Sequence, residues 1–242
     1  MRRKAVYRIF IWVSLIMCIG LLAKLAPTLY LPEHILADDF GHFWASGRLF
    51  IDRENPYDLS SMIRMQVEAG AIQTSSDSIG SQTLNPPWTL LIFAPFSLLE
   101  YSLARITWLI ITIVLIILSV RQFWILLHGS ENKLWLAFLI SFMFAPTYSV
   151  LSKGQVTPWV LLGITGLLLF SEEKLNVWLT GASIVLLSVK PQVFYLIWPA
   201  LGLWVIFERR WKLFLSGAAI WLLTILILVL VNPKIFMQYL TA

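Results

Sequence analysis

Long apolar runs are the feature that most constrains how this chain of 242 residues can fold. Apolar residues make up 59% of it and charged residues 13%, and the mean hydropathy is +0.80. A hydrocarbon core of about 30 Å needs roughly 20 apolar residues for each helical crossing. The sequence therefore predicts an all-α polytopic membrane protein of about seven transmembrane helices. The expected spans are 8–30, 101–120, 134–151, 157–171, 177–189, 192–207 and 213–231.

Basic residues are spread unevenly between the connections, and this predicts the orientation. Cytoplasmic loops of membrane proteins are enriched in lysine and arginine. With a cytoplasmic N-terminus, the short outer turns hold only Lys153 and Lys190. The inner segments then hold Arg2, Arg3, Lys4, Arg8, Arg121, Lys133, Lys174, Arg209, Arg210 and Lys212. This distribution favours seven spans.

One part of the span assignment stays open on the sequence alone. The apolar segments 177–189 and 192–207 are short and meet at Lys190-Pro191. They can be two tilted helices joined by a tight turn, or one long broken helix. The choice decides on which side of the membrane the C-terminus lies.

Residues 31–87 form the only long polar segment, and they hold eight of the thirteen acidic residues. A loop of this length is usually functional or disordered. Apolar residues at spacings of three and four predict that it starts with an amphipathic helix. Its apolar face should lie in the headgroup region, with His42 and Arg48 towards water. That face consists of Phe40, Phe43, Trp44, Gly47, Phe50 and Ile51.

The rest of this extracytoplasmic loop divides into shorter pieces. Pro56 ends the first helix because proline cannot continue it. A second short helix is expected from Leu59 to about Ala69, followed by a flexible connector over 73–82. The apolar run 85–95 has proline near both ends and is too short to span, which indicates a re-entrant or interfacial helix packed under the loop. We treat 1–242 as a single transmembrane domain that contains this loop.

Asp38 and Asp39 are the leading candidates for chemistry. One reading is structural, since an aspartate before a helix can accept a backbone N–H and cap it. Two adjacent carboxylates allow one to cap while the other points elsewhere. A carboxylate between apolar helices and water can act as a general base, because partial desolvation raises its pKa. The pair is suggestive of catalysis but not specific for it.

Cations and polar turns on the same outer side are the next candidates. Lys190 either extends to the outer headgroups or binds a lipid-linked phosphate. Lys153-Gly154-Gln155 is a polar turn that could be a plain hairpin. The three histidines show no metal-ligand spacing, and the single cysteine cannot anchor a thiolate cluster. We expect no metal and no cofactor. No basic cluster is interleaved with stacking aromatics, so nucleic acid is not an expected partner.

Several of these stretches, in this order, resemble the GT-C class of membrane glycosyltransferases. The local sequence is similar to glycosyltransferase family 87, formerly a domain of unknown function, which includes polyprenol-phosphate-mannose-dependent mannosyltransferases. The similar stretches are Asp39-Phe40 with Ala45, Arg48 and Leu49; Asn55-Pro56-Tyr57-Asp58; Asn85-Pro86-Pro87-Trp88 with Pro95; Gly154-Gln155; Thr180-Gly181-Ala182 before Lys190-Pro191; and Arg209-Arg210-Trp211.

The resemblance implies roles for individual residues. The base that deprotonates the acceptor hydroxyl would be Asp39, with Asp38 as the fallback, and the sugar would be transferred with inversion. Lys190 and Arg48 would stabilise the leaving phosphate. The residues expected to contact the sugar or its phosphate are Gln155, Tyr57 and Trp88.

The resemblance also implies partners and a location. The donor would be a polyprenyl-phosphate-linked sugar and the acceptor a lipid or glycan, on the extracytoplasmic face of the cell (inner) membrane. Family members are generally longer, which predicts a C-terminally short chain. Such a chain could be a truncated protein, a short relative, or a half that needs a partner subunit to supply the missing helices. Two other functions compete with this one. The first is non-catalytic lipid-phosphate binding or flipping, or a subunit role in a larger assembly. The second is solute transport, disfavoured because the acids cluster in a loop.

Overall fold

The computed structural model describes residues 39–70, 85–172 and 176–242, and these residues are helical with short connections and contain no strand. The predicted span 8–30, the connector 73–82 and Asp38 lie outside them. The α-helices are α1 Asp39–Ile51, α2 Leu59–Glu68, α3 Leu90–Ser97, α4 Tyr101–Leu126, α5 Leu134–Met143, α6 Ala145–Lys153, α7 Thr157–Glu172, α8 Val177–Leu187, α9 Ile197–Phe207, α10 Trp211–Val231 and α11 Ile235–Leu240. Short 3-10 helices cover Pro87–Thr89, Glu131–Lys133 and Pro191–Val193.

Two of these helices are long and apolar enough to cross a membrane. They are α4, with 26 residues, and α10, with 21. At 1.5 Å per residue these helices are about 39 Å and about 32 Å long, so each covers a hydrocarbon core of about 30 Å. The other apolar helices of 10–17 residues fall short of that length. The chain is thus a helical membrane protein, and the seven crossings stay a prediction.

The predicted span 134–151 is broken into α5 and α6, which meet at an angle of 65°. Pro146 lies in the first turn of α6. Proline has no N–H and its ring clashes with the carbonyl four residues earlier, so α5 cannot continue through it. Together the pair is apolar enough to make a third crossing.

The open question over 177–207 is answered by two separate helices, α8 and α9, with residues 188–196 between them. The contacts also give their directions. Gly181 near the start of α8 packs on Ser216 near the start of α10. At the end of α8, the Ser188 carbonyl accepts from the Trp88 indole, whose ring contacts Trp221 further along α10. Helices α8 and α10 are therefore parallel, and α9 is the return between them.

Several chain reversals meet at one end of the bundle, which we call the loop-side end. The Trp108 indole N–H donates to the Gly154 carbonyl (2.8 Å) and joins the start of α4 to the turn before α7. The Asn232 side-chain amide, after α10, donates to the backbone carbonyl of Glu54 (3.2 Å) in the polar loop. The described C-terminal residues therefore lie on the same side as α1 and α2.

Helix α1 is more deeply buried than an interfacial helix. It packs on α3 and α4, and nine of its thirteen residues are buried. The Phe43 and Phe93 rings stack at 4.4 Å between α1 and α3. The predicted apolar face thus packs mainly on protein, with His42 and Arg48 half-buried at its margin. Beneath it, the run after Asn85 forms a 3-10 turn and the short helix α3, and its re-entrant or interfacial position stays a prediction.

Close helix packing depends on Gly181, and this gives a stability prediction. A Cβ at Gly181 would lie 2.8 Å from the backbone carbon of Ser216 and 2.9 Å from the backbone nitrogen of Gly217. Backbone atoms cannot rotate away, so α8 and α10 must separate. We expect Gly181→Ala to destabilise the protein by about 1–3 kcal/mol, measured as a lower thermal midpoint in detergent.

Gly202 supplies the matched control for this experiment. A Cβ there meets no atom within 4 Å, and alanine favours a helix interior over glycine. Gly202→Ala should leave the midpoint unchanged or raise it. Equal midpoints for the two variants would contradict the packing of α8 on α10.

Candidate functional site

Asp39 is the first residue of α1 and is only partly buried. The next residue, Phe40, is 1% exposed and contacts the Trp108 ring at 5.3 Å. Because the residues that follow Asp39 in α1 are buried against other helices, the position of the Asp39 backbone is fixed. Its helical backbone also places it inside the first turn, where the helix dipole favours a negative charge. The residue before the helix is Asp38, so any capping role for that carboxylate lies outside the described residues.

Trp108 is the centre of the aromatic cluster that positions this end of the molecule. Its side chain is 1% exposed. The rings packed around it come from α1, α3 and α7 and belong to Phe40, Phe43, Phe93, Phe96 and Trp159, with centroid distances of 5.0–6.1 Å. Gly154, which accepts its N–H, has φ +66° and ends α6 in the left-handed region that glycine adopts without strain. The turn after α6 is thereby held against α4.

That turn is connected to Lys190 by side-chain hydrogen bonds. The Lys190 Nζ donates to Thr157 Oγ1 at 2.9 Å. Thr157 Oγ1 lies 3.4 Å from Gln155 Oε1 and can donate to it. Lysine carries three N–H donors, and among the described residues Thr157 is the side-chain partner of Lys190. Gln155 and Lys190, 35 positions apart in sequence, are thus parts of one polar group.

Asp39 acts electrostatically on Lys190 and on His42. Desolvation by burial lowers the pKa of Lys190, and the Asp39 carboxylate opposes this by raising it. The same two causes act on His42, whose pKa is lowered by burial and raised by Asp39. In the described part of the chain, no Asp39–Lys190 ion pair within 4 Å occurs. The carboxylate and the ammonium are therefore neighbours across a gap and are not joined directly.

Trp88 lies next to this group. Its indole N–H donates to the Ser188 carbonyl at 2.9 Å, two residues before Lys190. Its ring contacts Trp221 of α10 at 5.3 Å. Trp88 therefore lines an apolar cleft beside Lys190, and its half-exposed ring is available to a ligand.

Arg48 lies away from Asp39, and the hydrogen bond and ring contact of Tyr57 are made to residues outside this group. Arg48 is nine residues along α1 from Asp39, a rise of about 13.5 Å, and its Nε pairs with Asp52 at 3.0 Å on an exposed surface. The Tyr57 hydroxyl donates to the Asn85 carbonyl at 3.1 Å, and its ring contacts Tyr239 at 5.2 Å. Burial raises the pKa of Tyr57, so this hydroxyl keeps its proton. The roles predicted for these two residues stay predictions.

Two residues close to Asp39 or Lys190 were not singled out as ligands from the sequence. Thr157 is the direct partner of Lys190, and the available signal was its place two positions after Gln155 in the same turn. His42 was predicted only to face water, although it is one helical turn from Asp39. Among the described residues, no three histidine, cysteine, aspartate or glutamate side chains form a group that could hold a metal ion.

The coupling between Asp39 and Lys190 predicts a measurable pKa change. A carboxylate stabilises the charged ammonium, so Asp39→Asn should lower the pKa of Lys190 further. The pH dependence of Lys190 acetylation by acetic anhydride, followed by peptide mass spectrometry, reports this pKa. Its midpoint should move to lower pH in Asp39→Asn.

Asp52→Asn is the control for that experiment, because Asp52 pairs with Arg48 at the other end of α1. It should leave the Lys190 midpoint in place. A midpoint that did not move in Asp39→Asn, or that moved equally in both variants, would show that Asp39 does not act on Lys190.

Comparison of the sequence with known protein families gives a match that covers most of the chain. The profile of glycosyltransferase family 87 matches residues 84–242. That range contains Trp88, Gln155, Thr157 and Lys190, and it begins after Asp39. No curated protein and no solved structure matches the chain.

Proposed function

The chain belongs to glycosyltransferase family 87, and from this we propose that it transfers a hexose from a polyprenyl-phosphate donor to a lipid or glycan acceptor. Mannose is the sugar favoured by the family, which is one of membrane glycosyltransferases. The observation that carries the proposal is the position of Asp39 next to the Lys190–Thr157–Gln155 group at the loop-side end. Such a site has a base and a cation at the edge of an apolar bundle, where a lipid-linked phosphate would lie.

Asp39 is the proposed general base, and Asp38 is the fallback. The acceptor O–H bond breaks and its proton goes to the carboxylate. The acceptor oxygen forms a bond to the anomeric carbon from the face opposite the phosphate, so the configuration inverts. A positioned carboxylate typically contributes 10²–10⁴-fold to such a step. The burial of α1 behind Asp39 supports this role because it holds the carboxylate in one place.

Lys190 is the proposed partner of the leaving group. As the bond from the anomeric carbon to the phosphate oxygen breaks, its electron pair stays on polyprenyl phosphate. A fixed cation at that oxygen stabilises the charge that develops. Half-burial of Lys190 strengthens this effect, since charges interact more strongly where water is partly excluded. Thr157 holds the ammonium in place.

Gln155 and Trp88 are the proposed contacts to sugar and phosphate. Gln155 belongs to the same hydrogen-bonded group as Lys190. Trp88 donates to the carbonyl of Ser188, which is two residues before Lys190 in the sequence. Arg48 and Tyr57 are not needed for this mechanism. The proposed location is the cell (inner) membrane. The distribution of basic residues supports a cytoplasmic N-terminus, with the site on the outer face.

The role of Asp39 can be tested by sugar transfer. Membrane vesicles that contain the protein are supplied with radiolabelled polyprenyl-phosphate mannose, and label in the lipid and glycan fractions is counted. Asp39→Asn keeps the shape of the side chain but cannot take a proton. We expect transfer to fall by about 10²-fold or more.

Two measurements make this result specific. Asp52→Asn removes a carboxylate from the same helix and should transfer normally. Polyprenyl phosphate binding should persist in Asp39→Asn, because Lys190 and its hydrogen bond to Thr157 are retained. Unchanged transfer in Asp39→Asn would remove Asp39 as the base, and a protein that binds the lipid phosphate without any transfer would be a non-catalytic binding protein.

A further inference from the structure

We propose that an apolar cleft between α8, α9 and α10 binds the first isoprene units of the polyprenyl phosphate, so that this cleft, and not the one between α4 and α7, receives the donor lipid. This inference rests on the proposed function, because it assigns a place to the donor lipid. The cleft has a volume of about 500 Å³. Its walls include Trp88, Trp198, Gly202, Val205, Gly217 and Trp221.

The cleft exists because facing positions on α9 and α10 carry no side chain. A Cβ at Gly202 would meet no atom within 4 Å, and one at Gly217 would meet only Ile184, at 3.4 Å. Both glycines line the cleft and leave its space free of their own side chains. Protein interiors are close-packed, and an empty apolar space loses dispersion contacts on its walls. A lipid chain of matching thickness would restore those contacts.

The polar atoms of Ser188 and Trp88 at the cleft are hydrogen-bonded within the protein. The Ser188 carbonyl accepts the Trp88 indole N–H (2.9 Å), and the Ser188 hydroxyl donates to the Val185 carbonyl (2.6 Å). What faces the cleft is then hydrocarbon and aromatic surface. A volume in the range of about 300–1,000 Å³ suits a ligand segment, though not a whole polyprenyl chain.

Charge decides which ligand fits the mouth of the cleft. Ser188 and Pro191 line the cleft, and Lys190 lies between them in sequence. An apolar chain in the cleft therefore ends beside the Lys190 ammonium group. This arrangement suits a molecule with a long apolar tail and one anionic head, and it places that head towards Asp39.

A second apolar cleft of about 550 Å³ provides the internal comparison. It lies between α4, α5, α6 and α7, and its lining includes Ala137, Phe144 and Thr157. It reaches the polar group only through Thr157, whose hydroxyl already accepts from Lys190. Val189 and Pro191, on either side of Lys190 in the sequence, do not line this second cleft. An anionic head on a chain bound there is therefore less well placed to meet the Lys190 ammonium.

The test fills each cleft in turn in the full-length protein. Gly202→Phe adds a ring at a position whose Cβ would meet no atom within 4 Å, and Ala137→Phe adds the same ring to the other cleft. Binding of undecaprenyl phosphate and of the short analogue citronellyl phosphate is measured by native mass spectrometry or thermophoresis. Gly202→Phe should weaken the binding of both undecaprenyl phosphate and citronellyl phosphate about tenfold, because both ligands carry the first isoprene units. Ala137→Phe should leave both unchanged.

A photoreactive label tests the same point without a substitution. A polyprenyl phosphate with a diazirine in its first isoprene unit should cross-link to α8, α9 or α10 near Trp198. Cross-links confined to α4–α7, or a loss of binding in Ala137→Phe alone, would overturn the proposal. Displacement of the probe by ordinary phospholipid as readily as by polyprenyl phosphate would also overturn it.

The results separate this inference from the proposed enzyme activity. Binding in the cleft without any sugar transfer would support the cleft and contradict the transferase. Sugar transfer with the donor lipid cross-linked elsewhere would support the transferase and contradict the cleft.

Discussion

The hydrogen bond from the Trp108 indole to the Gly154 carbonyl is the contact on which the arrangement of the loop-side end depends. Around it, aromatic rings from three other helices form one buried cluster. An unpartnered indole N–H in such a place would cost roughly 1–3 kcal/mol, so the bond and the cluster require each other. Through this contact the helix that carries Asp39 and the turn that carries Thr157 share one rigid support, and Lys190 is then held by Thr157.

Much of this could be predicted from sequence because lipid leaves few alternatives. Apolar runs give helices wherever backbone groups must be satisfied internally, and the structure has helices in each run that it describes. The family was also predicted, from short stretches such as Asn85-Pro86-Pro87-Trp88 and Lys190-Pro191, and the profile match to residues 84–242 confirms it. The bend at Pro146 was missed in the span 134–151, although proline is the ordinary cause of such a break.

The candidate site was only partly predictable, for a physical reason. Periodicity shows which face of a helix is apolar, but it does not show which distant turns meet. Gln155 and Lys190 were each chosen for residue type and side of the membrane. Their connection through Thr157 depends on the packing of α7 against α8, which glycines at 163 and 166 permit. Arg48 was chosen through the family resemblance, yet helical rise carries it away from Asp39. Burial of α1 against protein was likewise not visible in its amphipathic pattern.

The central claim is that Asp39 and Lys190 lie on one face of the membrane, outside the cell interior, and it can be measured directly. With Cys18 replaced by alanine, Asp39→Cys and Lys190→Cys are introduced singly, and intact cells are treated with a membrane-impermeant maleimide. The account predicts that both positions react from outside, while a cysteine introduced at Arg121 reacts only after the cells are opened. Reaction of position 39 or 190 only from the cytoplasm, or of the two from opposite faces, would contradict it.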